Sequence, residues 1–279
     1  MQGISLNTNV LSLMLQNQLS STNGSLTSSM EKLATGYKIN HAKDGAAQLA
    51  LSEKLQAQIS GTAVAQANVQ HGQLALEMAD SSLQNINNNI TKIRDLVVEA
   101  ANGTYSAEQR EALALEAQSY MQQIDSIASG TEFNGLKLLD GTLTDLKLQV
   151  GANKGDVLDI SDAFGDAGAS ALGLTATALQ NAFASADAAS NFIDTLDSAL
   201  DTTASQLASV GAYANSLDST LENLAVRKTN LESSNSLIMD VDYATEISNY
   251  VQMQILQQAG VSLLSQANTQ PMLALSLLG

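Results

Sequence analysis

Apolar residues recur at helical spacing along most of this chain. Leu15, Leu19, Leu26, Met30, Leu33 and Tyr37, with Thr22 completing the 3/4 spacing, form one stripe of an amphipathic helix near the start. The pattern breaks between Ile39 and Gly45, where Asn40, His41, Lys43, Asp44 and Gly45 read as a connector. It resumes over residues 44–100, faintly through an Ala- and Gln-rich middle and then sharply at Leu83, Ile86, Ile90, Ile93, Val97 and Ala100. At about 1.5 Å per residue this helix approaches 80 Å in length. Asn102-Gly103-Thr104 is a turn that ends it. Ser106 with Gln109 three residues later resembles a capping box for a helix over 106–129, whose stripe is Leu113, Ala117, Met121, Ile124 and Ile127. So short a connection makes the two helices antiparallel neighbours.

From Leu136 the period changes to two. Leu146, Leu148 and Val150 alternate with Lys147 and Gln149, a turn-like stretch follows, and Val157, Leu158 and Ile160 come next, which predicts a small β-hairpin region over 136–160. Residues 161–186, rich in Ala, Gly, Ser and Asp, read as a short variable surface loop. Over 187–232 the clearest pattern in the chain appears. Leu196, Leu200, Thr203, Leu207, Val210, Ala214, Leu217, Leu221, Leu224, Lys228 and Leu231 alternate fours and threes, as in a coiled coil. Asp240 and Asp242 favour the start of a last helix with the stripe Ile247, Val251, Ile255, Ala259 and Leu263, and Pro271 limits its end. The predicted fold is mainly α: an elongated antiparallel helical bundle or coiled coil with a small β-hairpin region midway and the two terminal helices paired. Its expected domains are a terminal assembly core of 1–40 with 240–279 and a rod of 41–239.

Charge sharpens this picture. Neither Met1 to Met30 nor Ile247 to Gly279 contains Asp, Glu, Lys or Arg, although the chain has formal net charge -16. Ends that lack charge yet carry Leu, Ile, Val and Met are unlike solvated tails and read as surfaces built to be covered. Their apolar stripes are too thin to fold them alone, so they are expected to fray in the monomer and to order when other subunits surround them. A single Pro, no Trp and 4% aromatic residues suit long helices better than a thick globular core. The absence of Cys excludes disulfides and thiolate metal sites. Three Arg in so acidic a chain argue against nucleic acid as a partner. No basic residue precedes Lys32 and no uninterrupted apolar run is long enough to span a bilayer, so neither a cleavable signal nor membrane insertion is expected.

Candidate chemistry is sparse. His41 and His71 stand thirty residues apart without a carboxylate pair at ligand spacing, and read as surface or connector residues. There is no His-Glu-x-x-His motif, nucleophile elbow or phosphate loop. The twenty-eight carboxylates, including the cluster Asp187, Asp194, Asp197 and Asp201, are spread along helices as a solvated face. No catalytic, cofactor-binding or metal site is expected, and the chain does not read as an enzyme.

Particular runs of residues are similar to the bacterial flagellins over nearly the entire chain. At the N-terminal side these are Leu6-Asn7-Thr8-Asn9, Glu31 through Asn40 (Glu-Lys-Leu-Ala-Thr-Gly-Tyr-Lys-Ile-Asn), Ala42 through Ala47, Ala101-Asn102-Gly103-Thr104 and Phe133-Asn134-Gly135. At the C-terminal side they are Asp242-Tyr243-Ala244-Thr245-Glu246, Gln254 through Gly260, Gln266-Ala267-Asn268 and Leu275-Ser276-Leu277-Leu278. The resemblance implies an extracellular structural subunit, exported through the flagellar type III apparatus without a cleavable signal peptide and self-assembling into the flagellar filament for motility. It implies an export chaperone, a filament cap and hook-junction proteins as partners. It also implies an assembly core containing Leu15, Leu19, Leu26, Met30, Leu33, Ile247, Val251, Ile255, Ala259 and Leu263, and a host innate-receptor surface at Lys92, Leu96 and Glu116.

The large outer domains common in that family are missing, which makes this a short form. Lys38 and Lys92 stand where the family usually has Arg, His41 and Gly45 where it has Ser and Asp, and Ser234 through Ile238 replace an Arg-bearing segment. Arg and Lys are not equivalent at bidentate contacts. Two alternatives share parts of the pattern: a hook-filament junction protein of the same general plan, and, from a different class, a membrane-active type III translocator. The Gln-Ile-Leu-Gln-Gln-Ala run favours flagellin over the first, and Gln residues interrupting every apolar run oppose the second.

Overall fold

A computed structural model of the chain describes residues 8–276, with side chains through Gln270. Leu6, Asn7, Leu277 and Leu278 of the family-like motifs lie outside the described residues. Helix α1 (Val10–Thr35) is followed by α2 (Ala42–Ala100) and α3 (Ala107–Gly130), then two small hairpins, a short α4 (Ala176–Ala182), α5 (Ala186–Met239) and α6 (Tyr243–Ser276). The fold is mainly α, as the heptad patterns predict. Two compact units divide it: residues 1–57 with 230–279, and residues 58–229.

The second unit is built on the heptads. Leu83, Ile86, Ile90, Ile93, Val97 and Ala100 of α2 are all completely buried, and so are Ala117 and Ile124 of α3 and Leu196 and Leu217 of α5. Every position of the 3/4 series from Leu196 to Leu224 is buried or half-buried. The faint middle of α2 follows the same period, but buried Val69 and Leu76 are interleaved there with small or polar inward positions: Thr62, Ala65, Gly72 and Ala79. At Gly72 an added Cβ would lie 2.2 Å from Leu148 Cδ1 and 3.2 Å from Leu217 Cδ1, so glycine is what lets the hairpin come down onto α2. Ser106 caps α3 as its sequence suggests, accepting from the Gln109 amide while the Gln109 side chain accepts from the Ser106 amide.

The period-two segment forms two hairpins and begins earlier than its alternation indicates. Strands β1 (Glu132–Phe133) and β2 (Leu136–Lys137) pair antiparallel, as do β3 (Lys147–Gln149) and β4 (Val157–Asp159), with Leu148 opposite Leu158. The first turn is Asn134-Gly135 with both residues at positive φ, a two-residue turn matched to strand twist.

Residues 161–186 are not the surface loop their composition suggests. Ala163, Phe164, Ala167, Ala169, Leu172, Leu174, Leu179, Ala182 and Phe183 are buried in the core of the unit. Main-chain bonds tie the segment down, with Ala167 N–H donating to Leu139 O and Ala169 N–H to Asp125 Oδ1. Its apolar residues have no regular period because irregular backbone presents them, and the alanines and glycines that look loop-like allow close packing.

In the first unit α1 and α6 lie side by side in antiparallel register. Gly36, at φ 77, closes α1 in the left-handed conformation and donates to Lys32 O. Beyond it the backbone pairs with the end of α5 and the connector to α6: Tyr37 bridges Asp240, Lys38 N–H donates to Met239 O, and Val241 N–H donates to Gly36 O. Helix α5 runs past the expected end at Glu232 to Met239, because half-buried Asn235 and Ile238 continue the four-three series and the polar stretch is held, Ser52 Oγ donating to Asn235 Oδ1 at 2.7 Å. The connector at Gly45 appears as a non-helical residue that kinks α2.

Candidate assembly surface

The face joining α1 to α6 follows strict heptads in both helices. On α1 it comprises Ser12, Leu15, Leu19, Thr22, Leu26, Ser29 and Leu33; on α6 it comprises Glu246, Tyr250, Met253, Gln257, Gly260, Leu264 and Ala267. The most buried members are small or polar: Ser12, Thr22, Ser29 and Ala267. Side chains pair across the seam at four levels. Ser29 Oγ donates to Glu246 Oε1 (2.5 Å), Gln257 Nε2 to Asn23 Oδ1 (2.6 Å), Ser12 Oγ to Asn268 Oδ1 (2.9 Å) and Asn9 Nδ2 to the carbonyl of Ala267 (2.8 Å). Leu19 packs where Gly260 leaves room.

Two of the sequence-derived stripes therefore differ from the packed one. Leu15, Leu19, Leu26 and Leu33 belong to the seam, but Met30 is exposed and Ser29 takes its position. On α6 the stripe Ile247, Val251, Ile255, Ala259 and Leu263 is not the face turned to α1, and all five residues are exposed. The reason is angular. A row spaced by fours drifts about 40° around a helix at each step, roughly 160° from Ile247 to Leu263, whereas alternating fours and threes stay within about 20° per heptad. Alternation with polar members was the readable cue, hidden because Ser, Thr, Glu, Gln and Gly do not look like seam residues.

What this leaves outward is aliphatic. Val10, Leu11, Leu13, Met14 and Met30 on α1, and Ile247, Val251, Ile255, Leu256, Val261 and Leu263 on α6, are between 43% and 64% exposed. Helix α6 has no sustained polar face: apolar residues occur all round it. A helix apolar on every side is normally buried on every side. Contiguous exposed patches of this kind mark interaction sites.

Charge is confined to the base of the pair. Asp242 starts α6, its carboxylate accepting the Thr245 hydroxyl at 2.7 Å and the amides of Ala244 and Thr245, and these bonds, the hydroxyl's foremost, hold its pKa below the ordinary carboxylate value. Asp44 accepts the His41 and Asn40 amides and is lowered in the same way, chiefly by the His41 bond. Asp240, also expected to favour the helix start, instead bridges Tyr37 and accepts from Ser236 Oγ. Lys38 Nζ donates to the Leu237 carbonyl at the end of α5, and His41 Nε2 lies 2.7 Å from Glu31 Oε1. Pro271 does not end α6, which continues to Ser276.

Elsewhere, Lys92 and Glu116 are exposed on α2 and α3, while Leu96 is half-buried against the core of the second unit. Nearby, Arg94 Nε reaches Asp197 Oδ1 at 2.7 Å. Among the described residues no group of His, Cys, Asp or Glu is arranged to hold a metal ion, and no helix is long and apolar enough to cross a membrane.

Residues 6–144 match the model of the bacterial flagellin N-terminal helical region, and residues 193–278 that of the C-terminal helical region. The chain is 37% identical to a flagellin of Bacillus subtilis, over 98% of this chain and 99% of that one. It is equally 37% identical to a flagellar filament 33 kDa core protein of Treponema phagedenis, over the same shares of the two chains. Among solved structures, one described as a flagellar hook-associated protein from Vibrio parahaemolyticus superposes with a TM-score of 0.60 at 16% identity, covering 70% of this chain and 99% of that one, a likeness of fold alone. With both terminal regions matched and full-length relatives at this identity, the chain belongs to the bacterial flagellin family.

Proposed function

We propose that this protein is the structural subunit of a bacterial flagellar filament, polymerising through α1 and α6 outside the cell and catalysing no reaction. What supports this reading is the outward-facing set of aliphatic residues on two helices whose joint seam buries small and polar side chains most deeply. Pairing within one chain leaves Ile247, Val251, Ile255 and Leu263 in water, and burial against neighbouring copies removes that surface at roughly 25 cal/mol per Å². The copies repeat the same heterologous contact, so assembly extends helically without closing. Ordering of the terminal helices is thereby coupled to polymerisation.

Membership of the family, whose members include filament core proteins, supports the filament over the hook-filament junction reading. The same proposal includes export through a type III apparatus and, as partners, an export chaperone, a cap and hook-junction proteins, a reading that membership of the family supports. A host innate receptor reading Lys92, Leu96 and Glu116 is part of the same proposal, with Leu96 offering only part of its side chain. Purified protein mixed with short filament seeds and viewed by electron microscopy tests the reading. Elongating filaments support it, and protein that stays monomeric at every seed concentration contradicts it.

A further inference from the structure

Pro271 is the chain's one proline and lies inside α6. Proline has no N–H, so the carbonyl four residues earlier, that of Ala267, lacks its intrahelical donor. Ala267 is only 4% exposed, and a buried carbonyl without a donor is costly. The missing donor comes from the other helix, because Asn9 Nδ2 donates to Ala267 O at 2.8 Å. The same Asn9 is the N-cap of α1, its Oδ1 accepting the Ser12 amide at 3.1 Å. One side chain thus closes the start of α1 and satisfies the one carbonyl that proline orphans in α6.

We propose that Asn9 and Pro271 act together as a register lock, a positioning pair that selects a single stagger of α1 against α6 and so fixes which aliphatic residues lie side by side on the outward face. The leucines alone discriminate poorly. Sliding by one heptad places Leu26 where Leu19 was and Leu33 where Leu26 was, and leaves leucine facing α6 at both levels. In the slipped register Gln16, inside the helix, takes the place of Asn9, so no single side chain both caps α1 and reaches the orphaned carbonyl as Asn9 does. Main-chain pairing of residues 36–38 with 239–241 holds the near end of the helices, so a slip has to release it, and the Asn9 contact adds a separate penalty at the far end.

This inference rests on the reading of α1 and α6 as the assembly core, and its test reads register separately from assembly. The chain has no Cys, so introduced pairs report cleanly. Leu19→Cys with Gly260→Cys reports the observed register. Leu26→Cys with Gly260→Cys reports a one-heptad slip, about 10.5 Å away and beyond disulfide reach otherwise. Full-length protein carrying each pair is oxidised in four backgrounds: unchanged, Asn9→Ser (which keeps a capping oxygen but loses the amide donor), Pro271→Ala (which restores the helix's own donor), and both together.

The ratio of observed to slipped cross-link is expected to exceed about tenfold in the unchanged background and to fall by about tenfold in either single variant. It should fall no further in the double variant, because both changes remove the same term. Additive losses, or a ratio that either single variant leaves unchanged, overturn the proposal. Absence of any cross-link in the unchanged background, in seeded filament as well as in monomer, overturns the α1–α6 pairing beneath it. Elongation on seeds, scored on the same samples, reports the filament reading independently.

Discussion

The two units of this chain solve opposite problems. Residues 58–229 contain twenty-one acidic and eight basic side chains, turn these to solvent, and bury an almost wholly aliphatic core along α2, α3 and α5. Residues 1–57 with 230–279 contain only seven acidic and four basic side chains, bury serine, threonine and alanine in the seam of α1 and α6, and turn leucine, isoleucine, valine and methionine outward. A segment that folds for its own sake spends its large side chains inside, as the second unit does. The first unit half-buries four leucines of α1 in its seam but leaves many of its other large side chains for another surface, and the polar pairs across the seam supply geometry more than stability.

Charge placed on the outward face is the strongest way to break the contrast. Ile255→Asp is expected to abolish filament formation, because the carboxylate would be buried without a partner on assembly. The thermal transition of the second unit should be unchanged within about 0.5 kcal/mol. Seeded elongation and calorimetry check both halves, and filaments of normal yield would erase the distinction between the units. The converse change is Ile90→Ala. It removes a completely buried side chain from the second unit and is expected to lower that unit's stability by about 2–5 kcal/mol, read as a fall in the denaturant midpoint. An equal truncation at exposed Ile255 should leave monomer stability nearly untouched.

The smallest effect concerns pH. The pKa of Asp242 lies below its ordinary value because the ionised form accepts the Thr245 hydroxyl and two amides. Its cap therefore contributes fully above the unfolded-state pKa of about 3.9 and is lost as pH falls through the lower folded value. An acid titration of helix content should show this component in the parent and lack it in Asp242→Ala.

Legibility of the fold tracked side-chain size. Where the inward positions are large, as at Leu83 through Val97 and Leu196 through Leu224, spacing alone identified helix, face and burial. Where they are small or polar, it did not: Thr62 and Gly72 made α2 look weak, and Ser12, Thr22, Ser29 and Gly260 concealed the seam. The aliphatic row on α6 was visible, but its spacing by fours could not show that it faces away from α1. Residues 161–186 look like a surface loop because their irregular backbone gives buried Phe164, Leu174 and Phe183 no period to detect. The tie of Asn9 to Ala267 depends on a partner 258 residues away, which no local spacing can indicate.

Hydrogen exchange measured on one preparation, first as monomer and then as filament, tests the central claim most directly. Amides of α1 and of α6 through Gln270 are expected to slow by at least ~100-fold on assembly, while those of residues 83–100 and 196–224 are already protected in the monomer and change little. Equal protection of α1 and α6 in both states would contradict it, because the outward aliphatic faces would then have no role in ordering the ends.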